Sequence, residues 1–547
     1  MEWLFIGVVG LLVIAGATAL GPRLRISAPL ILVIMGIGVS FLPFVPDIGI
    51  SPEWILAGVL PPLLYSASVS MPSMNFRREF GAIGGLSVAL VVASSVLLGL
   101  LFAWVIPGLG LGWGIALGAI VSPTDAVATS IVKRTGISPR VIAILEGESL
   151  LNDATALVLL RTAIASVGAA ISFWGVVGNF AFSVIVAIVI GYVVGRLNLI
   201  VRGHVSDATV NTVISFTVPF IASIPAELLG ASGLVAAVVA GIITGRRAPR
   251  VLSPEHRASD AQNWRMIELV LEGFVFLLMG LELAAIVEDV QEENDGLLLA
   301  LGIALLALAG TVVVRTAYVA PLLASLRRRA LRVERMKPRM QRIQDHLTNH
   351  DSPDHAITGI APTRGPAGAL LRLWQRSVDI ERLGARVRRS IADVDYFLEA
   401  PLGWREGAVV VWAGMRGAVT VAAAQTLPQD TPHRSLLVLI AFVVAAMSLL
   451  IQGGTLNALI RLVKPATPDP QVAHDEHARL MELLDDVTIE HNEGTPKQQT
   501  LALIAARRAT LLDARDDGTF NAAVLEAALN ALDAQQVSVQ LQGEPAE

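Results

Sequence analysis

The chain of 547 residues contains no cysteine. That excludes disulfides, thiolate metal sites and thiol redox chemistry. Charge is scarce as well: Asp, Glu, Lys and Arg make up 16% of the residues, where a soluble protein would carry about 25%. No Walker-type GxxxxGK[ST] or other phosphate-cradling motif is present, which argues against a primary pump. The first apolar block is preceded by no basic leader and followed by no obvious cleavage site, so it reads as a retained helix rather than a signal peptide. The net charge is only −5, and nucleic acid is not an expected partner.

What the sequence has in abundance is apolar residues, 54% of the chain, with a mean hydropathy of +0.64. Long apolar blocks fill residues 3–462, and many reach the roughly 20 residues that cross a bilayer. The fold class is therefore an all-α polytopic membrane protein with the lipid bilayer as its solvent. The expected spans are 3–20, 28–46, 54–70, 81–106, 113–132, 140–168, 173–195, 208–224, 230–245, 266–287, 296–325, 405–427 and 435–460, about thirteen helices. Basic links (Arg23 and Arg25; Arg77 and Arg78; Lys133, Arg134 and Arg140; Arg196 and Arg202; Arg246 to Arg257; the link after Ser325) alternate with neutral or acidic ones, most clearly Glu288 to Asp295. By the positive-inside rule this places the N-terminus outside and the C-terminus in the cytoplasm, with a short exception at Arg434.

The expected domains are residues 1–325, with helices one to eleven; a cytoplasmic insertion, 326–402; residues 403–462, with helices twelve and thirteen; and a tail, 463–547. The insertion has roughly five basic residues to three acidic, and contains helical sequence from Leu370 to Val394 beside a stretch rich in Pro, His and Thr. Such a basic segment reads as a solvated or lipid-facing surface, with contacts to anionic lipid or a regulatory role as the sharper options. The tail shows amphipathic spacing over 475–486, 498–513 and 520–535, and reads as a helical appendage.

Two spans are interrupted. The fifth contains Ser122-Pro123-Thr124-Asp125, where Pro123 lacks an amide hydrogen; the twelfth contains Gly414, Met415, Arg416 and Gly417. Unwound backbone at membrane depth is tolerated only where it lines a cavity or is buried in protein. Five and twelve differ by seven, so two six-helix repeats joined by a seventh helix would be inverted, and broken helices in corresponding positions point to a transport site. Asp125 is expected to face the dipole ends of one broken helix and Arg416 those of the other.

The sixth span holds Glu148, Ser149, Asn152 and Asp153 among Leu, Val and Ala. Glu148 and Asn152 share one face, Ser149 and Asp153 the next. A carboxylate at the centre of a membrane helix costs about 2.5–3.5 kcal/mol on insertion scales. Glu148 reads as the counter-ion of Arg315, which is buried in the eleventh span, with Asn152 holding it. Asp153 has no such partner in the sequence. It is stable when neutralised by a proton or by a hard alkali cation, which oxygen ligands suit, but not by both. Arg161, two turns on, reads as an outward-snorkelling or structural charge.

In order, "SPTDAVA", "EGESLLNDA", "AELLGASGLVAAVVAGIITG", "FVFLLMGLEL" and "MRGAV" closely resemble the monovalent cation/proton antiporters of the NhaP and sodium/proton-exchanger type, over residues 5–460. The resemblance implies two inverted six-helix repeats with crossing helices five and twelve, a homodimer, and a cell-membrane antiporter that serves pH and sodium homeostasis. It implies exchange of Na⁺ (or Li⁺, K⁺) for H⁺ by an elevator movement, without a cofactor. Asp153 would be the exchange carboxylate. Ser149 and the backbone of Thr124 would join it in holding Na⁺, and Asn152, Glu148 and Asp125 complete the candidate ion-binding set. Arg315 and Arg416 would be structural charge partners. The Asn152-Asp153 pair goes, in that family, with electroneutral one-for-one exchange. The chain departs from the family at Ser66, where an acid is common, and Glu227 matches a family position that reads as packing or funnel charge. The alternatives are K⁺/H⁺ antiport, a cation-coupled solute symporter, and a non-transporting sensor. A symporter needs a larger polar pocket, and few further polar residues stand at mid-membrane in the sequence.

Overall fold

A computed structural model describes residues 2–24, 26–41, 53–167, 173–292, 296–348, 380–467, 470–488 and 495–541. Among them every regular element is a helix. In chain order these are α1 Glu2–Leu24, α2 Ala28–Ser40, α3 Trp54–Ser70, α4 Ser73–Val105, α5 Gly110–Val121, α6 Val127–Lys133 and α7 Pro139–Val167. Then come α8 Phe173–Gly203, α9 Ala208–Leu228, α10 Gly233–Val251, α11 Pro254–Leu281, α12 Leu283–Glu292 and α13 Leu297–Thr348. Last are α14 Ile380–Glu399, α15 Trp404–Trp412, α16 Ala418–Gln425, α17 Arg434–Val463, α18 Pro470–Asp485, α19 Pro496–Asp517 and α20 Ala522–Leu541. Seven of the described helices are long and apolar enough to cross a membrane, and four shorter apolar helices accompany them.

Several helices outrun the apolar runs that announce them. α11 begins at Pro254 rather than near residue 266, because the Ser253 hydroxyl accepts from the His256 amide and proline suits the first turn. α13 continues to Thr348, past the expected end at 325, since the Arg, Ala and Leu that follow are strong helix formers. The end expected for the second span, and the first part of the helical sequence from Leu370, lie outside the described residues.

Residues 1–321 and 404–465 form one compact unit. Within it α1, α2, α3, α8, α9, α10 and α11 pack mainly on one another, as do α4, α5, α6 and α7 together with α16 and α17. α4 and α5 approach backbone to backbone, because Gly114 and Gly118 present no side chain to the carbonyls of Gly99 and Ser95. Buried ion pairs tie helices inside each group. Arg140 donates to Glu79 at 2.6 Å, and Arg202 pairs with Asp260 and donates to Asn211 at 2.7 Å. Both arginines were expected in solvated links; at 3% and 1% exposure they are core charges instead.

Residues 322–403 and 466–547 form a second unit. There Leu480, Leu484, Ile504, Leu511, Leu525 and Leu532 are buried between α18, α19 and α20. Arg508 donates to Asp533 at 3.0 Å and Arg389 of α14 to Asp517 at 3.4 Å. Thr495 and Gln498 cap α19 reciprocally.

Candidate ion-exchange site

The apolar run at 113–132 is two helices, α5 and α6, separated by the non-helical residues 123–125. The run at 405–427 is likewise α15 and α16, separated by residues 413–417. The breaks cross: the Asp125 amide donates to the Met415 carbonyl at 2.7 Å. The Asp125 carboxylate accepts from the Val127 amide at 2.9 Å and faces the amides of Ala126 and Ala418. It thus stands at the N-terminal ends of α6 and α16 together, where unpaired N–H groups favour negative charge. Arg416 donates to the Val121 carbonyl at 2.9 Å and to that of Gly414, serving the carbonyl ends of the two first halves. The sequence led to one charge per broken helix; the structure instead gives the acid both amino ends and the arginine both carbonyl ends. The α17 hydroxyl of Ser448 holds the Arg416 amide at 2.8 Å. A side chain at Gly417 would occupy the space of the Asp125 carboxylate.

α7 lies against this crossing with the two stripes its spacing implies. Glu148 receives both Arg315 amino groups, at 2.5 and 2.8 Å, while Arg315 Nε donates to the Val410 carbonyl at 3.0 Å. Thr124 Oγ1 donates to Glu148 at 3.2 Å. Asn152 was expected to hold Glu148, but its amide nitrogen donates to the Thr124 carbonyl at 3.0 Å and hydroxyl at 2.8 Å. Glu148 is left to Arg315 and Thr124, and Asn152 fixes the non-helical segment at Thr124. Asn152 Oδ1 is buried without a donor. On the next stripe, Ser149 donates to the Glu146 carbonyl at 3.0 Å, which leaves its own lone pairs available. Asp153 is 8% exposed and makes no hydrogen bond or ion pair with any other described residue.

Asp153, Ser149, Thr124 and Asp125 line one cavity of about 330 Å³, walled on the opposite side by Leu60, Leu63, Leu64 and Ala67 of α3 and by Phe276 of α11. Its α7 residues run from Glu146 to Asp153 and no further, and it also reaches Ser70 and Lys133. Lys133, paired with Glu146, is 54% exposed, so the cavity opens at that end. Further along α7 than the lining residues, Arg161 donates to Glu227 at 2.7 Å, and beyond the lining stretches of α16 and α11, Gln425 donates to Glu282 at 2.6 Å.

Two lining residues are absent from the sequence-derived set. Glu268 and Glu272 of α11 face the cavity from the wall opposite Asp153, and Glu268 lies beside the Ser66 hydroxyl. They add two carboxylates to the polar lining that the sequence analysis counted. The signal was of the kind used for α7, polar residues four apart in an apolar run. It was masked because "IELVLEG" borders a polar stretch and resembles a helix end.

A family model described as "Sodium/hydrogen exchanger, transmembrane" matches residues 9–365 and 385–462. A sequence of Mycobacterium tuberculosis named an uncharacterized Na⁺/H⁺ exchanger is 27% identical over 477 residues, covering 85% of this chain and 74% of its own. The Na⁺/H⁺ exchanger YjcE of Escherichia coli, also named uncharacterized, is 37% identical over 277 residues, 48% of this chain and 50% of its own. Among solved structures, the sodium proton antiporter MjNhaP1 from Methanocaldococcus jannaschii superposes with a TM-score of 0.58 at 15% identity, covering 84% of this chain and 98% of that one; this likeness concerns the fold alone. The chain is a multi-pass membrane protein, a transporter and not an enzyme, and it belongs to the transmembrane sodium/hydrogen exchanger family.

Proposed function

We propose that the chain exchanges Na⁺ for H⁺ one for one across the cell membrane, with Asp153 neutralised by either ion in turn. The observation that carries this reading is the contrast among the buried charges. Glu148 is neutralised by Arg315 and Asp125 is satisfied by helix ends, whereas Asp153 faces the cavity with no counter-charge. A hard monovalent cation entering there meets residues that offer oxygens, the Asp153 carboxylate, Ser149 and Thr124. A proton on Asp153 removes the charge that draws the cation in. Competition for one group couples the two flows.

The rest follows from the same reading. Thirteen transmembrane segments in two inverted six-helix repeats account for the two crossing breaks. The N-terminus is outside and the C-terminus cytoplasmic, which makes the open end of the cavity the cytoplasmic one. The group with α4–α7 and α15–α17 moves as an elevator against the other, in a homodimer, and the cell gains control of internal pH and sodium. The test is proteoliposomes with a trapped pH dye, to which Na⁺, Li⁺ and K⁺ are added in turn. Na⁺ is expected to drive dye movement in the wild type and not in Asp153→Asn; exchange by that variant at the wild-type rate would overturn the assignment.

A further inference from the structure

Between the mouth and Asp153 stands a pair of carboxylates that this cycle does not use. Glu268 and Glu272 are four apart on α11, one turn of one face, and both line the cavity. The other charged groups facing them there are Lys133, Glu146, Asp125 and Asp153. Lys133, itself paired with Glu146, and Arg265 act on Glu268 alone, whereas the charged neighbours of Glu272 are Asp125 and Glu268, both of its own sign. Glu272 makes no hydrogen bond or ion pair with any other described residue. Asp153, nine-tenths buried and equally unpartnered, looks into the same space. A narrow cavity whose lining charges are mostly of one sign, here five carboxylates and one lysine, concentrates counter-ions.

The pair also belongs to a different group of helices from Asp153: α11 packs on α1, α2 and α3, and α7 on α4 and α5. Resting on the exchange reading above, we infer that Glu268 and Glu272 form a staging site on the stationary group, which gathers monovalent cations in front of Asp153 only while the cavity faces the cytoplasm. When the moving group carries Asp153 away, the pair stays behind. The benefit is therefore one-sided. The pair acts on charge alone, so it favours Na⁺ and H⁺ by the same factor on that face and leaves the exchange equilibrium unchanged.

The experiment measures initial rates of radioactive sodium exchange by the full chain in right-side-out and inside-out membrane vesicles. Glu272→Gln is expected to raise the half-saturating Na⁺ concentration at the cytoplasmic face roughly three- to tenfold, the effect of one charge in a partly solvated site. The half-saturating H⁺ concentration at that face should rise by the same factor, and the Na⁺ value at the outer face should not move. Glu268→Gln acts in the same direction. Equal changes at both faces, no change, or a Na⁺ change without the matching proton change would overturn the inference. If Glu272→Gln does not fold, Glu268→Gln carries the sidedness test and Glu272→Asp must keep wild-type values at both faces. Asp153→Asn runs in parallel: activity there sinks the exchange site itself, whereas symmetric effects with Asp153→Asn inactive sink the staging site alone.

Discussion

Glu148 and Asp153 sit on one apolar helix, five positions apart, and meet different neighbours. Arg315 covers Glu148, at 2.5 and 2.8 Å, in a pocket where both side chains are nearly inaccessible. Removing one partner of such a pair strands a buried charge, at a cost of about 3–5 kcal/mol. Glu148→Gln is therefore expected to lower the melting temperature of the purified protein sharply, and adding Arg315→Met should recover most of the loss. Asp153→Asn removes a charge that no described residue compensates, so its melting temperature should stay at or above the wild-type value while exchange is lost. Thermal unfolding in detergent, read beside the transport assay, checks both. The Glu148–Arg315 pair was legible because a buried arginine demands an acid and few were available. The Arg140–Glu79 and Arg202–Asp260 pairs were not, since the positive-inside rule assigns every arginine near a span end to a solvated link.

At the scale of the element, the crossing depends on backbone ends that only the correct charge, on a side chain of the correct shape, can serve. Asp125→Asn keeps the acceptor but surrenders the charge at two helix starts, each worth up to about 2 kcal/mol when buried. Gly417→Ala leaves the charge and removes its space. Both variants are expected to lower the exchange rate at least tenfold without abolishing membrane insertion, checked by transport assay and by the elution profile of the solubilised protein. The position of both breaks was legible in Pro123, which lacks a backbone donor, and in Gly414 and Gly417, which are poor helix formers, each beside a charged residue in an apolar run. How the two breaks share their charges was not, since that depends on which end of one helix meets which end of the other. The true ends of α11 and α13 were hidden for a different reason. Hydropathy reports where lipid ends, and a helix made of good formers continues past that point.

At the scale of the molecule, two groups of helices flank the cavity, and polar links join them at the end away from its mouth: Arg161 with Glu227, and Gln425 with Glu282. An elevator cycle must part them. Arg161 and Glu227 are 59% and 40% exposed, so their pairing is worth at most about 1 kcal/mol and does not lock the closed end. A covalent link would. The chain has no cysteine of its own, so Arg161→Cys with Glu227→Cys gives a clean probe. Oxidation of the double variant is expected to stop exchange and reduction to restore it; undiminished exchange in the cross-linked protein would contradict the movement. One-for-one stoichiometry has its own check. If one Na⁺ is exchanged for one H⁺, as proposed, exchange rates should be indifferent to an imposed membrane potential, since equal charges would cross in opposite directions.

The solitude of Asp153 has a last consequence, for what the protein must refuse to do. With neither passenger aboard, the moving group would have to drag a naked anion past the leucines of α3, a step that apolar surroundings penalise by several kcal/mol. In the proposed cycle the vacant carrier would thereby be confined to whichever side it last served. On the proposed cycle, leakage of either ion down its own gradient would be suppressed by electrostatics, without a separate gate.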